Sequence, residues 1–204
     1  ETGRQKYFYQ LRWQFNWLRN QIDLQNPNSE WVERTAQLIF LNRTCFNGLF
    51  RVNSRGEFNV PIGRYTNPKI CNAENLRSVA QILQKTHIYQ GDFSSCQQFI
   101  DSHTFIYFDP PYKPISKTSN FTAYSQHIFD DLEQLRLRNF FQLLDGKNTK
   151  LLLSNSDTYT EDNPDNFFES AYSKYRIERV KANRSINSNI AKRRLINEIL
   201  IMNY

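Results

Sequence analysis

The sequence predicts an α/β fold, on three observations. Beyond Pro68, short runs of strand character alternate with helical stretches. Thr104-Phe105-Ile106-Tyr107-Phe108 is five residues of β-branched or aromatic type, the texture of a buried parallel strand. Lys150-Leu151-Leu152-Leu153-Ser154, after an intervening helical pattern, reads as another buried strand. Strands joined through helices imply a parallel sheet covered by helices.

The elements follow in order. Residues 4 to about 24 read as a helix, because Phe8, Leu11, Phe15, Leu18 and Ile22 recur at spacings of three and four. Asn26-Pro27-Asn28 ends it. A second helix runs from Ser29 to about Arg43, with Val32, Ala36, Ile39 and Phe40 as its inward face. From Thr44 to Pro68 the chain is punctuated by Gly48, Gly56, Gly63, Pro61 and Pro68. Ser54-Arg55-Gly56-Glu57 predicts a hairpin turn there. A loop-rich segment of this kind builds no core and reads as a surface insertion or a recognition surface.

Ala73 to Gln84 predicts a helix, Thr86 to Tyr89 a short strand ending at Gly91-Asp92-Phe93, and Cys96 to Asp101 a short helix. Lys113 to Ser125 reads as a loop. Phe129, Leu132, Leu135, Leu143 and Leu144 mark a long helix, ended by Asp145-Gly146. Tyr175 to Val180 and Ile196 to Met202 complete the strands. The expected organisation is a helical recognition region over 1–70, with a basic hairpin loop, and an α/β core over 71–204.

Composition narrows the function classes. The chain has 204 residues, 39% of them hydrophobic, enough for a folded core. No apolar run approaches the roughly 20 residues that span a bilayer. No signal peptide is visible, so the expectation is a soluble, cytoplasmic protein. Cys45, Cys71 and Cys96 are odd in number and form no CxxC pair; with scattered His87, His103 and His127, they suggest neither a disulfide framework nor a metal site. The net charge of +6 favours a polyanionic partner. Basic residues gather over 43–64 and 181–194, interleaved with Asn and Ser that can hydrogen-bond phosphates and bases.

The feature that carries chemistry is Asp109-Pro110-Pro111-Tyr112, directly after the strand 104–108. In an open α/β sheet, ligands bind beyond the carboxyl ends of the strands. The prolines have fixed φ and no N–H, yet their carbonyls still accept hydrogen bonds. These are the parts needed to methylate an exocyclic amine. The lone pair of adenine N6 is delocalised into the ring. Two acceptors, the Asp109 carboxylate and the Pro110 carbonyl, would bind both N6 hydrogens and turn the lone pair toward a methyl donor. Tyr112 would stack on an extruded base. The plainer alternative is an Asp-Pro-Pro turn that only closes a strand.

Several separated segments carry a resemblance. They are Leu41-Asn42-Arg43, the run from Phe46 to Asn53, the run from Arg55 to Tyr65, Asp109-Pro110-Pro111-Tyr112, Asn120-Phe121-Thr122-Ala123-Tyr124, Ser154-Asn155-Ser156-Asp157 and Arg184-Ser185-Ile186. In this order, over nearly the whole chain, they resemble the Dam-type DNA adenine methyltransferases, including those that target GATC. The resemblance implies a Rossmann-like methyltransferase sheet with a DNA-recognition lobe, S-adenosylmethionine as cofactor and double-stranded DNA as substrate.

It also implies roles. Arg51 would read a guanine, the commonest specific base contact of arginine. Phe46 and Asn47 would sit at the gap left by the flipped base. Leu49, Pro61 and Tyr65 would contact outer bases, and Arg43 and Arg64 would hold phosphates. Asp92 would accept from the cofactor's adenine amine, with Phe93 against the ring and Asp109 closing the pocket. Phe121 and Tyr124 would either close over the base pocket or simply pin their loop, and Arg184 and Ser185 would lie in a DNA-facing loop.

One departure bears on all of this. Such enzymes carry a Gly-x-Gly loop for the cofactor's methionine end, and none of the six glycines here forms one. The expectation is a sheet incomplete at its N-terminal side. Three readings stand. One is a methyltransferase completed by a separate N-terminal half and paired in some systems with a cognate restriction endonuclease. The second is a DNA-binding remnant without catalysis. The third is an amine methyltransferase acting on RNA or protein.

Overall fold

The computed structural model describes residues 3–23, 26, 28–115, 129–160, 163–183 and 195–204. The described residues fall into two compact units, the first running to Tyr89 and the second starting at Gln90.

In the first unit, helix α1 (Gly3–Trp17) is continued by a tighter turn to Asn20, shorter than the expected helix to 24. Phe8 and Phe15 are buried two turns apart on one face, with Leu11 half-buried between them. Helix α2 (Ser29–Thr44) starts where Asn28 Oδ1 accepts from the Glu30 amide at 2.8 Å.

The inward face of α2 is only partly the expected one: Phe40 packs against the core as expected, but the face is turned. Val32 and Ala36 are exposed; the buried positions are Gln37, Leu41 and Thr44. Polar side chains account for the rotation. Arg34 lies 4.0 Å over the Phe15 ring and donates to its carbonyl at 2.7 Å. Gln37 donates to Glu33 at 3.1 Å. A polar side chain with partners can face inward, so hydropathy spacing alone misplaces the face.

The segment after α2 also departs from expectation, because it does build core. Phe58, Val60 and Cys45 are buried with Phe8, Phe15 and Leu41. The expected turn is present: the Gly56 amide donates to Asn53 O at 2.8 Å, and Val52 pairs antiparallel with Phe58. Gly56 has φ of 74°, which glycine adopts without strain. Asn16 of α1 then stands in for a strand partner. Its side chain accepts from the Phe58 amide at 2.8 Å and donates to the Phe58 carbonyl at 3.0 Å. That pairing lets an irregular segment bury its backbone without unpaired polar groups.

Helix α3 (Ala73–Leu83) forms as expected, with no buried residue. Residues 86–89 are not a strand. They have no neighbouring strand to pair with among the described residues, and an extended segment without a ladder is only loop.

The second unit opens with a tight helical turn (Phe93–Phe99), three residues earlier than the short helix expected there. Strand β1 (Phe105–Phe108), helix α4 (Asp131–Asp145) and strand β2 (Lys150–Ser156) follow. A short hairpin of β3 (Tyr159–Thr160) and β4 (Asn163–Pro164), helix α5 (Phe167–Ala171), β5 (Arg176–Asn183) and β6 (Leu195–Met202) complete it. The hairpin and α5 have no counterpart in the sequence reading.

The sheet order is β1-β2-β6-β5. Only β1 and β2 are parallel; β6 runs antiparallel to both its neighbours, so the sheet is mixed rather than parallel. Nor is β1 buried on both faces. Phe105 and Tyr107 are more than half exposed, while Phe108 faces the core. That core joins Phe108, Leu151, Leu153, Ile199 and Ile201 of the sheet to Leu137, Phe140, Phe141 and Leu144 of α4, and to Phe168 and Tyr172. Each such side chain contributes about 1.5–3 kcal/mol of apolar burial. Leu132 and Leu143 are exposed, and Gln134, Leu137, Phe141 and Leu144 point inward at spacings of three, four and three.

Candidate active site

The parallel register pairs Phe108 of β1 with Leu153 of β2. One residue further, Asp109 and Ser154 therefore come level. Ser154 Oγ donates to Asp109 Oδ1 at 3.3 Å and is itself 2.8 Å from the Tyr107 hydroxyl. Ser154 is buried and Asp109 exposed, so a carboxylate at the strand's carboxyl end is held from behind and open in front. Burial pushes the Tyr112 phenol up from its ordinary value. A hydrogen bond from Ser154 offsets part of this, and the charges of Glu198 and Asp109 add to it. Tyr112 is thus a neutral aromatic at physiological pH.

The loop between Asp109 and Lys113 is tied at two more points. Gln134 Nε2 donates to the Pro111 carbonyl at 2.9 Å. The Lys113 amide donates to Asn155 Oδ1 at 2.8 Å, and the Ser156 hydroxyl donates to the Lys113 carbonyl. Asn155 Nδ2 in turn donates to Gln134 Oε1 at 3.3 Å. The Lys113 ammonium pairs with Asp131, lies 3.9 Å from Asp165 and sits 4.5 Å over the Phe167 ring.

In the same unit Asp92 caps the turn that begins at Phe93, accepting from the Ser94 amide at 3.0 Å. Arg136 of α4 meets the carboxylate with both ends of its fork, at 3.0 and 2.7 Å, while also pairing with Glu133. Its guanidinium lies 4.0 Å over the Phe93 ring. These bonds, Arg136 first and then Ser94, hold the Asp92 carboxyl far below the usual carboxylate range. A carboxylate offers about four acceptor sites. Three of the donors to Asp92, the Ser94 amide, the Ser94 hydroxyl and one arm of Arg136, meet Oδ1 and a single one meets Oδ2, so Oδ2 is the less crowded side of this half-exposed group toward a ligand amine. That acceptor beside the Phe93 ring suits the adenosine end of a nucleoside cofactor.

In the first unit the expected DNA-contacting residues cluster after α2. The Phe46 amide donates to Pro61 O and the Gly63 amide to Thr44 O, both at 2.8 Å. Gly63 is required there, because a Cβ would lie 2.8 Å from the Cys45 carbonyl. Asn47 and Gly48 both have positive φ, 56° and 61°, a bend that leaves Phe46 and Asn47 exposed. Arg43, Pro61, Arg64 and Tyr65 are exposed as well, whereas Leu49 is half-buried against Leu41 and Cys45. Arg51 Nε donates to Asn59 Oδ1 at 2.8 Å, which orients its guanidinium. Arg184, Ser185, Phe121 and Tyr124 lie outside the described residues.

A family model of the D12 class N6 adenine-specific DNA methyltransferases matches residues 1–186. The chain belongs to this family. Among its relatives, the type II methyltransferase M.MjaIII of Methanocaldococcus jannaschii is 46% identical, over 100% of this chain and 66% of its own length. The type II methyltransferase M1.LlaDCHI of Lactococcus lactis subsp. cremoris is 39% identical, over 85% and 59% respectively. The DNA adenine methylase of Escherichia coli (strain K12) is 34% identical over 99% of this chain and 66% of its own length. The chain thus spans about two thirds of these relatives. No helix among the described residues is long and apolar enough to cross a membrane.

The geometry brings forward residues to which the sequence alone assigned no role. Ser154 and Asn155 stood in a segment of resemblance but without a role. Gln134 has one legible signal, a polar residue on the inward stripe of α4. Arg136 has none, because its partners Asp92 and Phe93 are more than forty positions away.

Proposed function

We propose that this chain carries the reaction centre and the base-reading surface of a DNA adenine methyltransferase that methylates adenine N6, in GATC, within double-stranded DNA. The observation that carries the reading is the Asp109 carboxylate, held by Ser154 at the carboxyl end of β1 and exposed in front. Relatives named DNA adenine methylase and type II methyltransferase support the same chemistry. The second unit corresponds on this reading to part of a Rossmann-like methyltransferase sheet. The segment 43–65 corresponds to the DNA-recognition lobe.

Asp109 and the Pro110 carbonyl accept the two N6 hydrogens. Both acceptors draw electron density toward nitrogen, and the lone pair leaves conjugation with the ring. The Tyr112 face stacks on the base once it is flipped out of the duplex, since N6 is unreachable inside the stack. Neutral Tyr112 suits a stacking role. Bound S-adenosylmethionine would supply the electrophilic methyl group, its S–CH3 bond breaking to leave a neutral thioether as the N–CH3 bond forms and N6 gives up one proton to water. Asp92 and Phe93 would hold its adenosine, and Asp109 would close the pocket. Positioning of this kind accounts for much of the rate gain available without covalent catalysis.

Arg51 reads guanine, with Asn59 holding its Nε so that the terminal nitrogens are presented together. Arg43 and Arg64 neutralise phosphates. Phe46 and Asn47, on their exposed bend, occupy the space the base leaves.

The experiment is the Asp109→Ala variant, assayed for methyl transfer and for retention of duplex DNA. Transfer should vanish while DNA retention stays near that of the parent chain. Undiminished transfer would remove Asp109 from the reaction. A parent chain that retains DNA but transfers nothing would favour the second reading, a DNA reader without catalysis.

A further inference from the structure

We infer that Gln134 and Asn155 are positioning residues for the reaction centre, a directional pair of buried amides that fixes the peptide groups on both sides of Tyr112. The inference deepens the reading of Asp109-Pro110-Pro111-Tyr112 as the site of methyl transfer and rests on it.

Both side chains are buried, Asn155 fully and Gln134 to within 2%. Buried amides demand partners, and here each partner dictates the next. The Lys113 and Ser156 amides can only donate, so Asn155 must turn Oδ1 to them, at 2.8 and 2.9 Å. That leaves Asn155 Nδ2 to donate, and Gln134 Oε1 receives it at 3.3 Å. Gln134 is then left with its Nε2 facing the Pro111 carbonyl, which can only accept, at 2.9 Å. No amide in the chain can flip without opposing two like groups.

The two backbone groups so bound flank one residue. Pro111 O precedes Tyr112 and Lys113 N follows it. Holding both peptide planes fixes the backbone of Tyr112 and the direction in which its side chain leaves it. It also sorts the two proline carbonyls. Pro111 O is occupied, and among the described residues Pro110 O accepts no hydrogen bond, so it is the carbonyl left for a substrate amine. Lys113 braces the same point through the Ser156 hydroxyl and through Asp131 and Asp165.

A merely structural pair and a positioning pair differ in one testable respect, the direction of the bond to Pro111. Gln134→Glu keeps shape and volume. Ionised, the introduced carboxylate still accepts from Asn155 but sets a lone pair against Pro111 O. Protonated, it donates to Pro111 O and accepts from Asn155, which restores the wild-type pattern. Burial raises the protonation point of such a carboxyl above its ordinary ~4.3.

The test measures methyl transfer across pH for wild type, Gln134→Glu and Gln134→Met, with amide hydrogen exchange at Lys113 on the same samples. For Gln134→Glu, kcat should lie roughly 10- to 100-fold below wild type at mildly alkaline pH. It should recover as pH falls, with the KM for DNA unchanged and Lys113 protection recovering in step. Wild type carries the same Asp109, Lys113, Asp131 and Asp165 and is the control for their titration. Gln134→Met, which cannot donate, should lose kcat without recovery; it keeps the test decisive if the buried carboxyl hinders folding. A Gln134→Glu profile parallel to that of wild type, with unchanged Lys113 exchange, would overturn the inference, as would full kcat in Gln134→Met. If Lys113 exchange switches as stated but wild type transfers no methyl group, the positioning stands and the methyl-transfer reading falls.

Discussion

Ser154 Oγ lies 3.3 Å from Asp109 Oδ1 and 2.8 Å from the Tyr107 hydroxyl, so a buried serine on β2 orients the carboxylate that ends β1. Removing the hydroxyl frees the carboxylate to rotate without removing it. Ser154→Ala should therefore lower kcat roughly tenfold, equivalent to about 1.4 kcal/mol, with the KM for DNA unchanged. Steady-state methyl-transfer kinetics checks this. A rise in KM at constant kcat would assign Ser154 to substrate binding instead.

Arg136 and Asp92 make the second prediction. The Asp92 carboxyl lies far below its ordinary value, chiefly through the Arg136 hydrogen bonds. A depressed folded-state value means the stabilisation is fully present above the unfolded value near ~3.9 and is lost as pH falls through the folded one. Arg136→Gln should return the Asp92 carboxyl toward the ordinary range. Carboxyl carbon NMR across an acid titration reads this directly. The same variant should weaken cofactor binding, since Asp92 loses its fixed orientation. An unchanged Asp92 titration would show that Arg136 does not hold it.

How much of this was legible in the sequence differs by element. The strands that carry Asp109 at the end of one and Ser154 within the other were legible from short apolar runs, aromatic and β-branched in β1 and leucine in β2. Their partnership was only half legible, because chain order suggested a parallel sheet. The antiparallel insertion of β6 between β2 and β5 depends on β2–β6 pairings such as Leu152 with Met202 and Ser156 with Glu198, far apart in the chain, which no local pattern encodes. Helix positions were legible, and so was the inward face of α1, but that of α2 only in part. Arg34, Gln37 and Gln134 face inward on hydrogen bonds that hydropathy cannot see. The core role of Phe58 and Val60 was hidden for a similar reason, since Asn16 supplies the backbone pairing from forty-two residues away.

Arg51 and Asn59 give a prediction about specificity. Arg51→Ala should cost about 1–3 kcal/mol of discrimination at one base pair. Asn59→Ala, which only releases Arg51 Nε, should cost less and at the same position. Competition binding with single-base variants of the duplex measures both. Equal weakening on every sequence would make Arg51 a phosphate contact.

Phe141 is fully buried where α4 meets the sheet, with its ring 5.9 Å from Phe108 and edge-on to Tyr172 and Tyr175. Phe141→Ala should destabilise the protein by about 3–5 kcal/mol through lost contacts and a cavity. Denaturant unfolding checks it. A loss under about 1 kcal/mol would mean the cavity collapses or the packing is looser than described.

The most direct test of the central claim is transfer of a labelled methyl group from S-adenosylmethionine to a short GATC duplex, with a GTAC duplex as control. The account predicts label on adenine N6 of the GATC duplex alone, lost in Asp109→Ala. Retention of both duplexes with no label on either would contradict it.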